Sequence, residues 1–165
     1  MAESAGSPDR LTRKTFVRDA LPAAGDDAVV VGEALTLRQV ALEAEKKPAV
    51  RVLAVVGGNG QLSGVIRVPA LCDDLFLSVA PEDYIAEILR PGKLEEFGRY
   101  ARSQSAKDLM EGPFAVSLDD DIGIAFRVMH DNGLEGIPVI DREGRPVSYL
   151  DRFRLIAVWL KTHAG

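Results

Sequence analysis

Apolar and polar positions along the chain fall into a pattern that occurs twice. Residues 54–66 read as an apolar run (Ala54-Val55-Val56), a polar turn containing Gly60, and a second apolar run ending at Val65-Ile66. Residues 138–150 repeat it with Pro138-Val139-Ile140, a polar turn containing Gly144, and a run ending at Tyr149-Leu150. The two stretches superpose without a gap at a separation of 84 positions, from 54 to 138, 60 to 144 and 66 to 150. Such a pattern predicts a β-hairpin, with Gly60 and Gly144 available for the positive φ of a tight turn.

Helical spacing precedes each hairpin. Leu37, Val40, Ala41 and Ala44 recur at three- and four-residue intervals, as do Ile122, Ala125, Phe126 and Met129. Asp119 or Asp120 is the expected cap of the second helix, and Asn132-Gly133 its expected stop. A short strand is expected before each helix, at Val29-Val30-Val31 and at Phe114-Ala115-Val116. Further upstream, Val17-Arg18-Asp19-Ala20-Leu21 echoes Ala106-Lys107-Asp108-Leu109-Met110. A helix is predicted after each hairpin, carrying Leu71, Cys72, Leu75 and Phe76 in one half and Leu155, Ile156, Val158, Trp159 and Leu160 in the other. Each half reads strand, helix, strand, strand, helix. Neither half is large enough to bury both faces of a small sheet alone. The expected fold is therefore α+β, with two small sheets packed as a pseudo-twofold pair around one core.

Composition narrows the chemistry. A net charge of -5 argues against general binding to nucleic acid or to a membrane surface, because both are anionic. It leaves room for a small anion held by backbone amides and one or two arginines. The single cysteine, Cys72, excludes an intramolecular disulfide and a thiolate zinc site, and is expected as a small buried apolar side chain. His130 and His163 are too few for a histidine-rich metal site, so no metal is expected. His130 is expected near a helix C-terminus, where positive charge is welcome. Residues 1–9 are small and polar, unlike a signal peptide, and no stretch approaches the roughly 18 apolar residues of a membrane span. The default expectation is a cytoplasmic protein.

The order of elements resembles the CBS (cystathionine beta-synthase) domain, which occurs in pairs called Bateman modules. The second half is the closer match. Lys107-Asp108-Leu109-Met110 looks like the family's lead-in, and Val116 to Asp121 like its first strand and helix cap. Gly136-Ile137-Pro138-Val139-Ile140-Asp141 followed by Gly144 is similar to its most recognisable stretch. In the first half, Val52-Leu53-Ala54-Val55-Val56 with Gly60, Leu62 and Gly64 fits the same template. The resemblance implies tandem CBS motifs, each β-α-β-β-α, at residues 15–76 and 106–161. A helical connecting insertion at 77–105 lies between them, and a flexible N-terminus spans 1–14. It further implies a regulatory module whose clefts between motifs bind AMP, ADP, ATP or S-adenosylmethionine. The resemblance likewise implies that no cofactor is required, that the chain pairs as a homodimer, and that occupancy is passed to a regulated protein that the sequence does not identify.

The resemblance also points to departures. Nucleotide-binding members end the third strand with threonine or serine, followed three residues later by aspartate, groups suited to phosphate and ribose hydroxyls. The matching positions hold Asp151 and Arg154 in the second half, and Arg67 and Ala70 in the first. Asp151 would repel a phosphate unless it turns to cap the last helix. Arg67, at the start of a helix, is either an anion clamp or a solvated arginine at the cleft mouth. Arg154 is either a ligand contact or half of a surface ion pair. Ile137-Pro138 and Leu53-Ala54 either flank an adenine ring or are plain core strand.

Within the insertion, Ala80-Pro81-Glu82-Asp83 reads as a helix start. Tyr84, Ile85, Ile88 and Leu89 supply an apolar face, and Pro91-Gly92 breaks the pattern. Leu94, Phe97, Tyr100 and Ala101 mark a second short helix. The sequence carries no P-loop, nucleophile elbow or metal-ligand cluster, so binding is expected rather than catalysis. The competing expectation is a CBS-pair interaction module that has lost nucleotide binding.

Overall fold

The computed structural model describes residues 15–22, 27–88 and 103–163. The first half of the chain order is α1 (Val17–Ala20), β1 (Val30–Gly32), α2 (Leu37–Glu45), β2 (Val52–Val56), β3 (Leu62–Arg67), α3 (Val68–Val79) and α4 (Glu82–Ile88). It continues with α5 (Ala106–Leu109), β4 (Val116–Ser117), α6 (Ile122–Asp131), β5 (Gly136–Ile140), β6 (Pro146–Asp151) and α7 (Arg152–His163). These elements form two compact units, one of residues 29–113 and one of residues 1–28 with 114–165. The fold is α+β, as the sequence implies.

The two hairpins share one register. Val52 lies opposite Arg67 and Ala54 opposite Val65, while Gly136 lies opposite Asp151 and Pro138 opposite Tyr149. Both ladders shift at the same place, between Val55 and Val56 and between Val139 and Ile140. Gly60 and Gly144 both take φ 78°, in the left-handed region that side chains with a Cβ disfavour. In each unit the first strand joins the hairpin in parallel, β1 beside β2 and β4 beside β5, giving two three-stranded sheets. A parallel pair needs a crossover, and α2 and α6 supply it.

Thr36 caps α2, accepting a hydrogen bond from the Gln39 N–H at 3.2 Å while the Gln39 side chain accepts from the Thr36 N–H at 2.9 Å. The cap of α6 is Asp121, one residue beyond the expected Asp119 or Asp120: its carboxylate accepts from the Gly123 N–H at 2.7 Å. Asp120 instead accepts from the Ser117 N–H at 2.8 Å, holding the turn before the helix. The helix stops at Asn132 and Gly133 as expected, with Gly133 at φ 60°. His130 lies in its last turn, stacked on Phe126 with ring centroids 5.7 Å apart. Burial follows the apolar period: Leu37 and Val40 on α2, and Ile122, Ala125 and Met129 on α6, are buried together with most of β2, β3, β5 and β6.

The lead-in helices are exchanged between the sequence repeats. The amides of Val17 and Arg18 donate to the carbonyls of Asp120 and Leu118, and α1 packs on α6 and α7. The amides of Ala106 and Lys107 donate to the carbonyls of Leu35 and Glu33, and α5 packs on β3. Each lead-in thus joins the unit of the other hairpin, so the packing units differ from the contiguous segments 15–76 and 106–161. Nothing in the local pattern of a four-residue helix specifies which partner it finds.

Two glycines mark close approaches. A Cβ on Gly64 would lie 2.7 Å from the Glu111 carbonyl oxygen, because the segment after α5 bridges onto Val65. A Cβ on Gly136 would lie 2.0 Å from the Tyr149 hydroxyl oxygen and 2.2 Å from its Cζ. Cys72 corrects the sequence expectation: its side chain is exposed on α3, because the buried face of that helix is taken by Leu71 and Asp74. Pro81 precedes α4 as expected, and Tyr84 meets Phe76 with ring centroids 6.3 Å apart. The expected flexible terminus at 1–14 and the second insertion helix at Leu94–Ala101 lie outside the described residues, as does Leu89.

Candidate functional site

In each unit the third strand runs directly into a helix, and the residues singled out by sequence cluster at that junction. In the 29–113 unit, Arg67 ends β3 and stands at the N-cap of α3, with Ala70 in the first turn. The Arg67 side chain makes no cap hydrogen bond to α3. Pro69 in the first turn has no N–H to satisfy, and the Val68 N–H donates to the Arg51 carbonyl at 3.0 Å. Leu53 and Ala54 lie on the neighbouring strand opposite Ile66 and Val65. Both are buried core, so in this unit they are strand interior rather than an open wall.

The Arg67 guanidinium is neither free nor merely solvated. Its Nε donates to the Glu111 carboxylate in a short ion pair, with about a third of the Arg67 side chain exposed (33%). Glu111 is held by its backbone, which exchanges two hydrogen bonds with Val65, at 3.0 and 2.9 Å. The lead-in that crosses from the second sequence repeat therefore delivers a carboxylate to this arginine.

The other unit handles the same position differently. Asp151 caps α7, its carboxylate accepting from the Arg154 N–H at 2.8 Å. This is the capping role that the sequence left open. The Arg154 guanidinium pairs with Asp27 at 2.8 Å and reaches the Tyr149 carbonyl at 3.5 Å. Ile137 and Pro138, on β5, are buried in the core.

Sequence reasoning missed three residues here. Asp27 and Glu111 sit 44 or more positions from their arginines, with no local signal. Arg152, the first residue of α7, donates through Nε to the Leu134 carbonyl at 2.7 Å and through Nη2 to the Met129 carbonyl at 3.0 Å. It neutralises the C-terminal end of α6 and pins α7 to it.

Two carboxylates are displaced from their ordinary range. Burial pushes Asp74, on α3, upward, partly opposed by a hydrogen bond from Ser103. Asp108 is held low by the backbone N–H groups of Gln104 and Ser105 and by the Ser105 hydroxyl, as expected of a group that caps α5. Among the described residues no group of histidine, cysteine and carboxylate side chains is arranged to hold a metal ion. None of the described helices is long and apolar enough to cross a membrane.

Comparison with known proteins fits this architecture. The family model of the CBS domain matches residues 106–161. The whole chain has the fold of a CBS pair. It is similar to a CBS-domain-containing protein of Thermotoga maritima, with 21% identity and a TM-score of 0.66 over 92% of this chain and 96% of the other. It is also similar to the CBS-pair protein CBSX2 of Arabidopsis thaliana, at 19% identity and TM-score 0.63 over 91% and 97% of the two chains. CBSX2 has also been solved in complex with AMP, and there the match is 21% identity and TM-score 0.63 over 90% and 98%. A third, the CBS pair of MJ0100 in complex with 5′-methylthioadenosine and S-adenosylmethionine, matches at 15% identity and TM-score 0.63 over 90% and 98%. No curated protein matches the chain by sequence.

Each unit also carries an apolar groove between its two longer helices. In one it has a volume of about 350 Å³ and is lined by Ile122, Phe126, Leu155, Ile156 and Trp159. In the other it measures about 230 Å³ and is lined in part by Ala41, Ala44, Leu71, Cys72 and Leu75. Leu71, Cys72 and Leu75 stand 84 positions before Leu155, Ile156 and Trp159, so the groove is a property of the repeat. Trp159 is 43% exposed along it, rather than core.

Proposed function

We propose that the chain is a regulatory sensor that binds an adenosine-containing ligand and passes its occupancy to a partner protein, by binding rather than by catalysis and without a required cofactor. The ligand class is AMP, ADP, ATP or S-adenosylmethionine. The observation that supports this reading is the start of α3, where the Arg67 guanidinium stands at the helix N-terminus and makes no cap hydrogen bond of its own to the helix amides. Helix amides and an arginine together suit a phosphate, whose contact with Arg67 is charge-assisted. Complexes of similar folds with AMP and with S-adenosylmethionine support the ligand class. The α7 junction is the weaker candidate, because the Asp151 carboxylate already takes the amide at the helix start. Signalling follows if the ligand favours one arrangement of the protein over another, by no more than its difference in affinity for the two. The repeated apolar grooves and the exposed Phe126, Ile156, Trp159 and Leu160 support homodimerisation through these helices.

The second reading, an interaction module without nucleotide binding, draws on the same junctions. Neither has the hydroxyl and aspartate pair of nucleotide-binding members, and both arginines already hold carboxylates. A thermal-shift series with AMP, ADP, ATP and S-adenosylmethionine separates the two. The sensor reading expects at least one ligand to stabilise the protein, by about 2.7 kcal/mol at a hundredfold excess over its dissociation constant. No shift with any of the four at millimolar concentration favours the interaction module.

A further inference from the structure

We infer that Glu111 is a built-in competitor for the anion-binding face of Arg67, and that Asp27 has the same role for Arg154. The inference rests on the sensor reading above and concerns how that site is regulated. Three observations carry it. First, each junction arginine is paired with a carboxylate of its own unit, Arg67 at the end of β3 with Glu111 and Arg154 in the first turn of α7 with Asp27. A guanidinium at or beside the strand–helix junction is thus matched with a carboxylate distant in sequence in both units. Second, Glu111 is fixed by backbone pairing with Val65, so its carboxylate is delivered to Arg67 by the fold rather than by a wandering side chain. Third, both pairs are about one-third exposed on each side, at 33% and 42% for Arg67 and Glu111 and 33% and 34% for Arg154 and Asp27.

Partly exposed ion pairs are weak and exchange readily. A carboxylate presents two acceptor oxygens to the guanidinium fork much as a phosphate does. An incoming anion therefore reaches Arg67 by displacing Glu111, and the displaced carboxylate then repels it at short range. Both effects lower affinity for anionic ligands and set a threshold concentration below which the site stays closed on itself. Neutralising Glu111 removes both while leaving the backbone bridge in place.

The test measures binding of pyrophosphate and of AMP by calorimetric titration to the full chain and to three variants. These are Glu111→Gln, the double variant Arg67→Gln with Glu111→Gln, and Glu87→Gln, which makes the same charge change on the exposed face of α4. Glu111→Gln is expected to bind pyrophosphate about tenfold more tightly than the unaltered protein. Glu87→Gln should show no such gain, and the double variant should lose it. Pyrophosphate binding to Glu111→Gln that is absent or no tighter than to the unaltered protein overturns the inference, as does an equal gain in Glu87→Gln. Tighter pyrophosphate binding without any binding of AMP upholds the competitor role and removes the adenosine reading instead.

Discussion

Gly136→Val is expected to destabilise the unit containing residues 114–165 by about 3 kcal/mol, and Tyr149→Val introduced with it is expected to restore most of the loss. Tyr149 is buried, and its ring lies across Gly136, where even a Cβ would fall within 2.2 Å of the ring and hydroxyl. Valine at 136 must push the ring out of a packed core. Tyr149→Val alone leaves a cavity and should cost about 2–4 kcal/mol. The repeat shows that the pair is exchangeable: the equivalents of Gly136 and Tyr149, 84 positions earlier, are Val52 and Val65. Both valines are buried in a ladder of identical register. One unit fills this corner with two valines, the other with a tyrosine over a glycine. Urea denaturation of the two single variants and the double should therefore give a coupling of several kcal/mol, with the double within about 1 kcal/mol of the unaltered protein. Additive losses would show that the two corners are not equivalent.

Asp74→Asn is expected to raise stability at neutral pH, through a different mechanism. Asp74 is 1% exposed on the inner face of α3, with a hydrogen bond from Ser103 and no partner for Oδ2 among the described residues. Burial disfavours its charged form, so its pKa in the folded protein stands above the ordinary carboxylate value. The folded state then holds the proton more tightly than the unfolded state, and stability falls as pH rises from the ordinary value through the raised one. Below that window both states are protonated and the asparagine variant gains nothing. Above it the gain is complete and constant. Melting temperatures of the two proteins should coincide near pH 3 and separate by pH 7, with the Asp74→Asn variant the more stable. A difference that is flat across this range would place the origin elsewhere than in the buried charge.

The parts of this structure that sequence made legible are those encoded locally or by repetition. Hairpins at 52–67 and 136–151, their glycine turns and the helices around them follow from apolar period and turn chemistry. The repeat carries the same elements and hairpin register into both halves, though not the same side chains. Asp151 as a helix cap was legible because capping depends on neighbours three residues away. The pairing of Glu111 with Arg67 and of Asp27 with Arg154 was not, since it depends on which unit each lead-in joins. Four-residue helices such as α1 and α5 carry too little apolar face to announce their partner. Cys72 escaped for a related reason: a small apolar side chain on an amphipathic helix fits either face, and here Asp74 holds the buried one.

A sensor of this kind must meet its nucleotide at the strand–helix junctions. The most direct measurement is a titration of ¹⁵N-labelled protein with AMP, followed through its backbone amide resonances. Binding at the start of α3 predicts saturable shifts for Arg67, Val68, Ala70 and Leu71, with smaller ones for the residues around Asp151. Resonances that stay in place at millimolar AMP, ADP, ATP and S-adenosylmethionine, or that move only far from both junctions, would contradict it.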